Sequence, residues 1–284
     1  IEKFVTSMRH IEAQILRDSH GNTRVLGIRD CSVQRNNQKL MEESLSTMLP
    51  EEHKRSVFEY AAKLADAVDY IGAGTVEFIY DIPSDAVYFM EMNTRLQVEH
   101  PVTEVTTGVD IVKKQFEIAA GGSIEDLKAE EHGYGLEVRV NAEKAVQDAD
   151  GLVSFVPTPG EITRCELPEA DHIQLISMAG EGKVVSPFYD SLIIQIICYG
   201  KDRNDAIKKM LDYLDQVVIH GISTNITLIK RILRDDEFLK GIYDTGYLPS
   251  FLERTDVPGL IAEMEAASGI ESLGIDLEML KIEG

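Results

Sequence analysis

The chain has 284 residues, 44% of them hydrophobic and 27% charged, a composition typical of a globular protein with one large or two smaller domains. Its formal net charge of -21 makes nucleic acid and anionic membrane poor partners. No apolar run approaches the ~20 residues of a membrane helix, and the three cysteines are too widely spaced to indicate a disulfide framework or a zinc site. The opening residues contain neither a signal peptide nor an initiator Met, so we expect a piece of a longer protein.

Taken in chain order, the first predicted element is a hairpin with strands near residues 10–16 and 24–28. Apolar residues at helical spacing predict a helix over 51–71. A further helix is expected after Gly108, and its predicted buried side consists of Val109, Val112, Phe116 and Ala119.

In the second half of the chain, strand patterns predict strands over 135–141 and 152–156, and a continuous apolar run predicts a buried strand over 192–199. Helices are predicted over roughly 203–217 and 224–239, and the residues beyond Arg254 are interpreted as a linker or tail. Hairpins mixed with helices favour an α+β fold over a doubly wound sheet.

Residues 74–93 are the most informative pattern, because two strand-like runs flank a turn centred on Ser84. Folded as a hairpin, they give an apolar face on which Val76, Phe78 and Tyr80 pair with Met92, Met90 and Tyr88. The other face pairs Thr75 with Asn93, Glu77 with Glu91 and Ile79 with Phe89. Two glutamates with Cβ atoms ~5 Å apart are destabilising unless one is protonated or a cation lies between them. A solvated polar face is an equally good interpretation of these two residues alone.

The alternation continues past the hairpin, where the polar positions are Glu91, Asn93, Arg95, Gln97 and Glu99. If this segment stays extended, all five side chains project toward one place. Two carboxylates and an amide oxygen suit a hard cation such as Mg²⁺ that also binds a phosphate. An arginine beside them can hold a planar anion, and a further carboxylate can serve as a general base. The run therefore predicts metal–nucleotide chemistry on a small oxyanion.

The same run resembles a known family. The segment Glu91-Met-Asn-Thr-Arg-Leu-Gln-Val-Glu-His-Pro-Val-Thr-Glu104 closely resembles the signature of the biotin carboxylase and carbamoyl-phosphate synthase branch of the ATP-grasp family. The segments that resemble the biotin carboxylase version specifically are Arg29-Asp-Cys-Ser-Val-Gln-Arg35 with Gln38-Lys39, Gly72-Ala-Gly-Thr-Val-Glu77, Pro157-Thr-Pro-Gly-Glu-Ile-Thr163, Pro187-Phe-Tyr-Asp-Ser191 and Gly221-Ile-Ser-Thr-Asn225. The resemblance extends from residue 1 to about 253.

The resemblance implies the second half of an ATP-grasp fold, an antiparallel sheet with helices, over residues 1–132. It implies a biotin carboxylase C-terminal domain over 133–253 and leaves 254–284 as a linker or tail. The implied activity is that of a ligase: ATP, with Mg²⁺ or Mn²⁺, and bicarbonate form carboxyphosphate, which carboxylates biotin on a carrier domain. The residues after 253 favour a multidomain acyl-CoA carboxylase.

The resemblance implies a role in binding or catalysis for each residue that matches a family position. The nucleotide-side positions are Glu2, Lys3, Val5, His10, Gln34 and Asn37. The metal and phosphate positions are Glu77, Glu91 and Asn93. The bicarbonate pocket consists of Lys39, Arg95, Gln97, the Val98 backbone and Glu99. Glu99 is implied as the general base, and Arg139 as the arginine that stabilises the biotin enolate.

Three positions depart from the family pattern. Asn37 replaces a histidine, Gln195 a lysine, and Gln174 an arginine. Asn37 can still hydrogen-bond a ribose or phosphate oxygen but carries no charge. We expect Gln174 and Gln195 to lie nearer a subunit surface than the chemistry.

The resemblance also sets expectations for the rest of the protein. The glycine-rich first half of the ATP-grasp domain and a biotinylation motif are not recognisable in the chain, so the chain alone is expected to be inactive. Expected partners are a biotin carboxyl carrier domain, a carboxyltransferase component and a second copy in a homodimer or larger oligomer. The expected location is the cytoplasm, or the mitochondrial matrix in a eukaryote. A carbamoyl-phosphate type of ATP-grasp ligase and a non-catalytic scaffold remain as alternatives.

Overall fold

The computed structural model describes residues 4–270, which form a mixed structure of strands and helices. The strands are β1 (Met8–Arg17), β2 (Thr23–Arg35), β3 (Gln38–Glu43), β4 (Gly72–Asp81), β5 (Ala86–Asn93), β6 (Tyr134–Asn141), β7 (Glu143–Gln147), β8 (Val153–Pro157), β9 (Gly160–Glu161), β10 (Arg164–Glu166), β11 (Ile173–Ser177), β12 (Val184–Val185), β13 (Leu192–Gly200) and β14 (Val218–His220). The helices are α1 (Glu51–Ala67), α2 (His100–Thr107), α3 (Ile111–Ala119), α4 (Arg203–Leu214), α5 (Ile226–Ile232), α6 (Asp236–Lys240), α7 (Tyr247–Glu253) and α8 (Val257–Ala267).

Eight strands form one sheet in the order β11-β13-β6-β3-β2-β1-β4-β5, and every neighbouring pair is antiparallel. The predicted α+β fold with an antiparallel sheet is therefore confirmed. No helix within residues 4–270 is long and apolar enough to cross a bilayer.

The first predicted hairpin is formed by β1 and β2, as expected. Asp18 closes its turn, because the carboxylate accepts hydrogen bonds from the backbone N–H groups of His20 and Asn22, both at 2.9 Å. A third bond, 2.8 Å from Ile124 N–H, ties the turn to the segment after α3. β1 thus enters the centre of the sheet with a fixed register.

The hairpin of β4 and β5 has the predicted register only near its open end. Thr75, Val76 and Glu77 pair with Asn93, Met92 and Glu91, as predicted. A β-bulge at Met90 then moves the register, so that Phe78, Ile79 and Tyr80 pair with Phe89, Tyr88 and Val87. The predicted pairings of Phe78 with Met90, Tyr80 with Tyr88 and Ile79 with Phe89 are wrong, because a bulge sets two residues of one strand opposite one residue of its partner. Met90, expected in the core, is exposed.

Several helix limits differ from their predictions. α1 ends at Ala67 rather than residue 71, because the chain turns back at Asp69, where φ is 48°.

α3 begins after Asp110, whose side chain accepts a hydrogen bond from the Lys113 N–H, and the helix buries Ile111 and Ile118. The predicted stripe of α3 is therefore wrong at the exposed residues Val112, Phe116 and Ala119. Two helices, α5 and α6, replace the single one predicted over 224–239, since Asp235 caps a new helix there.

The largest apolar core joins both parts of the chain. It includes Met41 from β3, Val138 from β6 and Ile196 from β13, all at most 1% exposed. β3 pairs with β6, so the eight-stranded sheet crosses the predicted division at residue 132. α8, in the predicted tail, packs Leu260 and Met264 into this core. The rest of that tail, 271–284, lies outside the described residues, and the domain limits remain predictions.

Candidate functional site

Polar side chains from neighbouring strands meet on one face near the middle of the sheet. β1 contributes His10 and Glu12, β3 contributes Lys39, β4 contributes Glu77 and β6 contributes Arg139. Because side chains alternate across a strand, these residues lie on one face of the sheet, and most of their neighbours in sequence, such as Ile11, Val76 and Val138, enter the apolar core on the other face. These groups line or underlie a cavity of about 550 Å³.

The five polar residues of the run from Glu91 to Glu99 all line this cavity. The prediction that they face one place is confirmed, although the strand itself ends at Asn93 and the following turns lead into α2. Gln97 and Glu99 are buried, whereas Glu91 and Arg95 are exposed at the mouth. The buried end of the run therefore contacts the sheet, and its exposed end remains open to a ligand.

Glu99 is held between two cations. Its Oε1 accepts a hydrogen bond from Lys39 Nζ, and its Oε2 lies 3.0 Å from Nη2 of Arg139. Lys39 also donates to Glu12, and Arg139 Nε donates to Glu42 at 2.7 Å. Glu99 is only 2% exposed, so both ion pairs are shielded from bulk water.

The positive charge of Lys39 is secured by its acidic neighbours. Burial alone would lower the pKa of Lys39, but the negative groups around it, Glu12 and Glu99 among them, outweigh burial and raise the pKa. For Arg139, too, burial is outweighed by the negative charge of Glu42 and then Glu99, and the pKa rises. Lys39 and Arg139 are therefore both cations at the floor of the cavity, where each is paired with two carboxylates.

Glu77 faces Glu91 across the hairpin, as predicted, and Asn93 lies beside both. The Asn93 amide donates to Oε1 of Glu77 at 2.7 Å and to Oε1 of Glu91 at 3.5 Å. Burial acts to raise the pKa of Glu77, but hydrogen bonds from His10 and Gln97, with the charge of Lys39, lower it to about 2. Glu77 is thus a carboxylate at neutral pH. Two carboxylates and an amide are groups that bind a hard divalent cation, although the Asn93 amide here turns its Nδ2 toward the carboxylates and would have to rotate to offer its oxygen.

Gln97 links the metal-facing and anion-facing sides of the cavity. Its Nε2 donates to Glu77 at 2.7 Å, and its Oε1 accepts from Nη2 of Arg29 at 2.8 Å. The carbonyl of Val98 accepts from Gln195 at 2.7 Å. Arg95 donates a 3.2 Å hydrogen bond to the Leu96 carbonyl, and its guanidinium can reorient toward a bound anion.

The predicted nucleotide-side residues are brought together only in part. Gln34 Nε2 lies 2.7 Å from Nδ1 of His10, whose Nε2 lies 2.8 Å from Glu77, and Asn37 lines the same cavity. Asn36 and Asn37 have φ of 51° and 64°, which suits the tight turn between β2 and β3 because asparagine tolerates this conformation. Val5 is half-buried before β1 and is not among the residues that line the cavity. Glu2 and Lys3 lie outside the described residues.

Arg29 is a site residue that the sequence analysis missed. It is fully buried and donates to Glu12 at 3.1 Å, Gln14 at 2.8 Å and Thr103 at 3.0 Å, besides Gln97. Glu12, Glu42 and Glu137 were missed as well. The signal for Glu12 and Glu137 is a charged residue between two apolar neighbours inside a strand, as in Leu136-Glu-Val-Arg-Val140, whereas Arg29 and Glu42 are each followed by a second charged residue.

Most of the chain matches known protein families. Residues 1–127 match the family model for the ATP-binding domain of the carbamoyl-phosphate synthase L chain, and 137–250 match the biotin carboxylase C-terminal domain. Biotin carboxylase 1 of Bacillus subtilis is 45% identical over 262 residues, which are 91% of this chain and 56% of that protein. The alpha chain of human mitochondrial propionyl-CoA carboxylase is 42% identical over 87% of this chain and 34% of its own length. The chain belongs to the biotin carboxylase family.

Solved structures of this family show the same fold. A biotin carboxylase of Campylobacter jejuni, in complex with an ATP ligand, is 38% identical with a TM-score of 0.81, over 88% of this chain and 54% of that one. The biotin carboxylase domain of the Hydrogenobacter thermophilus 2-oxoglutarate carboxylase, with MgADP and bicarbonate, is 39% identical with a TM-score of 0.82, over 92% and 55%. The match to the C-terminal domain separates the chain from the carbamoyl-phosphate type of ligase. The chain spans about half the length of the biotin carboxylases it matches.

Gln195 lies closer to the cavity around Glu99 than expected. Its amide touches the Val98 carbonyl and Glu137, directly below the residues around Glu99. The expectation that Gln195 lies nearer a subunit surface than the chemistry is therefore wrong, because β13 is the immediate neighbour of β6 in the sheet. Gln174, one strand further out on β11, is exposed.

Proposed function

We propose that this chain supplies the bicarbonate and metal-binding side of the active site in a biotin-dependent carboxylase. The observation that carries this proposal is the position of Glu99, which lies between Lys39 and Arg139 at the floor of a cavity that buried Glu77 also lines and whose mouth holds Glu91. In the complete enzyme, ATP and bicarbonate give carboxyphosphate, and its carboxyl group passes to biotin on a carrier domain.

Bicarbonate would bind at the floor, where Lys39 offers charge, Gln97 and the Val98 N–H offer hydrogen bonds, and Arg95 can close from the mouth. Glu99 would accept the bicarbonate proton as a bicarbonate oxygen attacks the terminal phosphorus of ATP, and ADP would leave as the bond from that phosphorus to the bridging oxygen breaks. Buried cations and donors that are already fixed need little reorganisation when charge develops in the transition state.

The metal side would be formed by Glu77 and Glu91 with Asn93. Mg²⁺ or Mn²⁺ bound there would offset negative charge on the phosphoryl group during transfer. His10, which Gln34 contacts on its other ring nitrogen, holds Glu77 from the sheet side, and His10, Gln34 and Asn37 would face the nucleotide. By the family resemblance, Glu2, Lys3 and Val5 would contact the adenine.

Arg139 would act in the second step, where negative charge develops on the ureido oxygen of biotin. Its guanidinium is oriented by Glu42 on one side and Glu99 on the other. A planar cation fixed by two carboxylates can stabilise an oxyanion without first adjusting its own position.

For the complete protein, we propose an acyl-CoA carboxylase with a carrier domain, a carboxyltransferase component and a homodimeric or larger assembly. Similarity to the propionyl-CoA carboxylase alpha chain supports an acyl-CoA acceptor, whereas 40% identity to the urea amidolyase of Saccharomyces cerevisiae shows that related chains occur in other systems. The proposed location is the cytoplasm, or the mitochondrial matrix in a eukaryote.

The test compares the full-length protein with this chain alone. Phosphate release is measured with MgATP, bicarbonate and free biotin. We expect turnover by the full-length protein that requires bicarbonate, and none by residues 1–284, because the chain spans only about half of the related enzymes. Absence of bicarbonate-dependent turnover in the full-length protein would instead support the scaffold alternative. Turnover by the chain alone would show that the ATP-binding residues were assigned wrongly.

A further inference from the structure

Two buried glutamates lie side by side beneath Arg139. Glu42 on β3 and Glu137 on β6 are register partners, and both are 0% exposed. Directly opposite residues of an antiparallel pair have Cβ atoms ~5 Å apart, so the two carboxyl groups are neighbours. Two ionised carboxylates this close, away from water, would repel each other strongly.

In each glutamate, one carboxyl oxygen accepts a hydrogen bond and the other has no hydrogen-bond partner. Glu42 Oε1 accepts from Arg139, and Glu137 Oε1 accepts from Gln195 at 2.8 Å. The Oε2 atoms of both residues are buried without a hydrogen-bond partner. If one of these two facing oxygens carries a proton, it can donate a hydrogen bond to the other, and both then have a partner.

The surrounding charges favour a single proton on the pair. Arg139 contacts Glu42, whereas Glu137 contacts the neutral amide of Gln195. The other titratable groups around the pair are Lys39, Glu99 and Cys31, of which only Lys39 is a cation. Burial raises the pKa of both glutamates, and the charge of Glu42 raises that of Glu137 further. Such groups titrate as a pair, with the proton held in common.

We propose that Glu42 and Glu137 share one proton between their Oε2 atoms, and that this acid–carboxylate pair positions Arg139 and the Val98 carbonyl beside Glu99. Through Glu42 the pair keeps one negative charge against Arg139. Through Glu137 and Gln195 it anchors the turn that carries Val98 and Glu99. Glu42, Glu137 and Gln195 are positioning residues, a role that rests on the proposed function, whereas the shared proton does not.

Infrared difference spectroscopy on the full-length protein tests the proton. The spectrum of the wild type minus that of Glu137→Gln at neutral pH should contain the C=O band of a protonated carboxyl group. Gln195→Lys removes no carboxyl group but gives Glu137 a cation, and the same band should be lost in that variant. A difference spectrum with only ionised-carboxylate bands would overturn the proposal. So would a band that persists unchanged in Gln195→Lys.

The pH dependence of biotin carboxylation tests the positioning role. Loss of the shared proton at alkaline pH would place a second negative charge beside Glu42 and draw Arg139 away from its position. Biotin transfer should therefore fall at alkaline pH in the wild type, and the fall should move to higher pH by a unit or more in Glu137→Gln. An alkaline fall at the same pH in both proteins would overturn the positioning role. If the infrared band is found while neither protein is active, the proposed function fails and the shared proton stands.

Discussion

Nη2 of Arg139 and Oε2 of Glu99 lie 3.0 Å apart, although the two residues belong to different structural units, β6 and the turn before α2. The contact joins the proposed base of the first half-reaction to the proposed cation of the second. The roles of the two residues can still be separated by mutation, because Glu99 keeps its ion pair with Lys39 when Arg139 is replaced. The half-reactions should therefore respond differently.

Arg139→Lys should slow carboxyl transfer to biotin by ~10²-fold, the usual scale for losing an oriented donor at a developing oxyanion. Bicarbonate-dependent ATP cleavage should persist, since Glu99 and Lys39 remain in place. Lysine keeps a cation beside buried Glu42, so folding should be preserved. Both rates are measured on the full-length protein, with Arg164→Lys, an exposed arginine that pairs with Glu166, as the control. Equal losses in both rates would contradict the division of roles.

Glu91→Gln should weaken divalent metal binding to the enzyme–nucleotide complex by about tenfold or more. Glu91 is exposed and accepts a long hydrogen bond of 3.5 Å from the Asn93 amide, so the substitution should leave stability unchanged. The affinity is obtained by titrating Mn²⁺ in the presence of ATP. Glu59→Gln, an exposed glutamate on α1, serves as the matched control. Unchanged Mn²⁺ affinity in Glu91→Gln would exclude this carboxylate as a ligand.

Glu131 should make stability fall as pH rises toward neutrality. Burial raises its pKa to about 7, and its Oε1 lies buried without a partner where a side chain at Gly27 would be. Because the folded-state pKa exceeds the unfolded value, the stabilising contribution is complete below about pH 4.5 and is lost as pH rises through about 7. The full effect is on the order of 3 kcal/mol, since one pKa unit corresponds to about 1.4 kcal/mol.

Glu131→Gln, which cannot ionise, should remove this part of the pH dependence. Urea unfolding of the full-length protein between pH 5 and 8 measures it, with Glu130→Gln, an exposed neighbour, as the control. The same slope of unfolding free energy against pH in wild type and Glu131→Gln would show that Glu131 is ionised throughout.

The convergence of the polar run on one cavity was predicted from its alternation in the sequence, although β5 ends at Asn93 and turns, rather than an extended strand, carry Arg95, Gln97 and Glu99 into the cavity. The pairing of Glu77 with Glu91 could be predicted for the same reason. The pairs nearer the turn could not, since a bulge at Met90 follows from local backbone geometry rather than from the apolar pattern.

The buried groups beneath the cavity were not predictable in the same way. Arg29 and Glu12 are adjacent because β1 and β2 pair in the centre of the sheet. Glu42 and Glu137 meet because β3 pairs with β6, almost a hundred residues later in the chain. Pairings between distant strands depend on the order of the whole sheet, which no local pattern specifies.

Glu99→Gln in the full-length protein tests the central claim most directly. The amide preserves the shape of the side chain but cannot accept the bicarbonate proton. We predict that MgATP binding is retained while bicarbonate-dependent ATP cleavage falls by ~10²-fold or more. Glu130→Gln, exposed on the surface, should cleave ATP at the wild-type rate. If Glu99→Gln also cleaves ATP at the wild-type rate with bicarbonate present, Glu99 is not the base, and the residues around it only position the substrate.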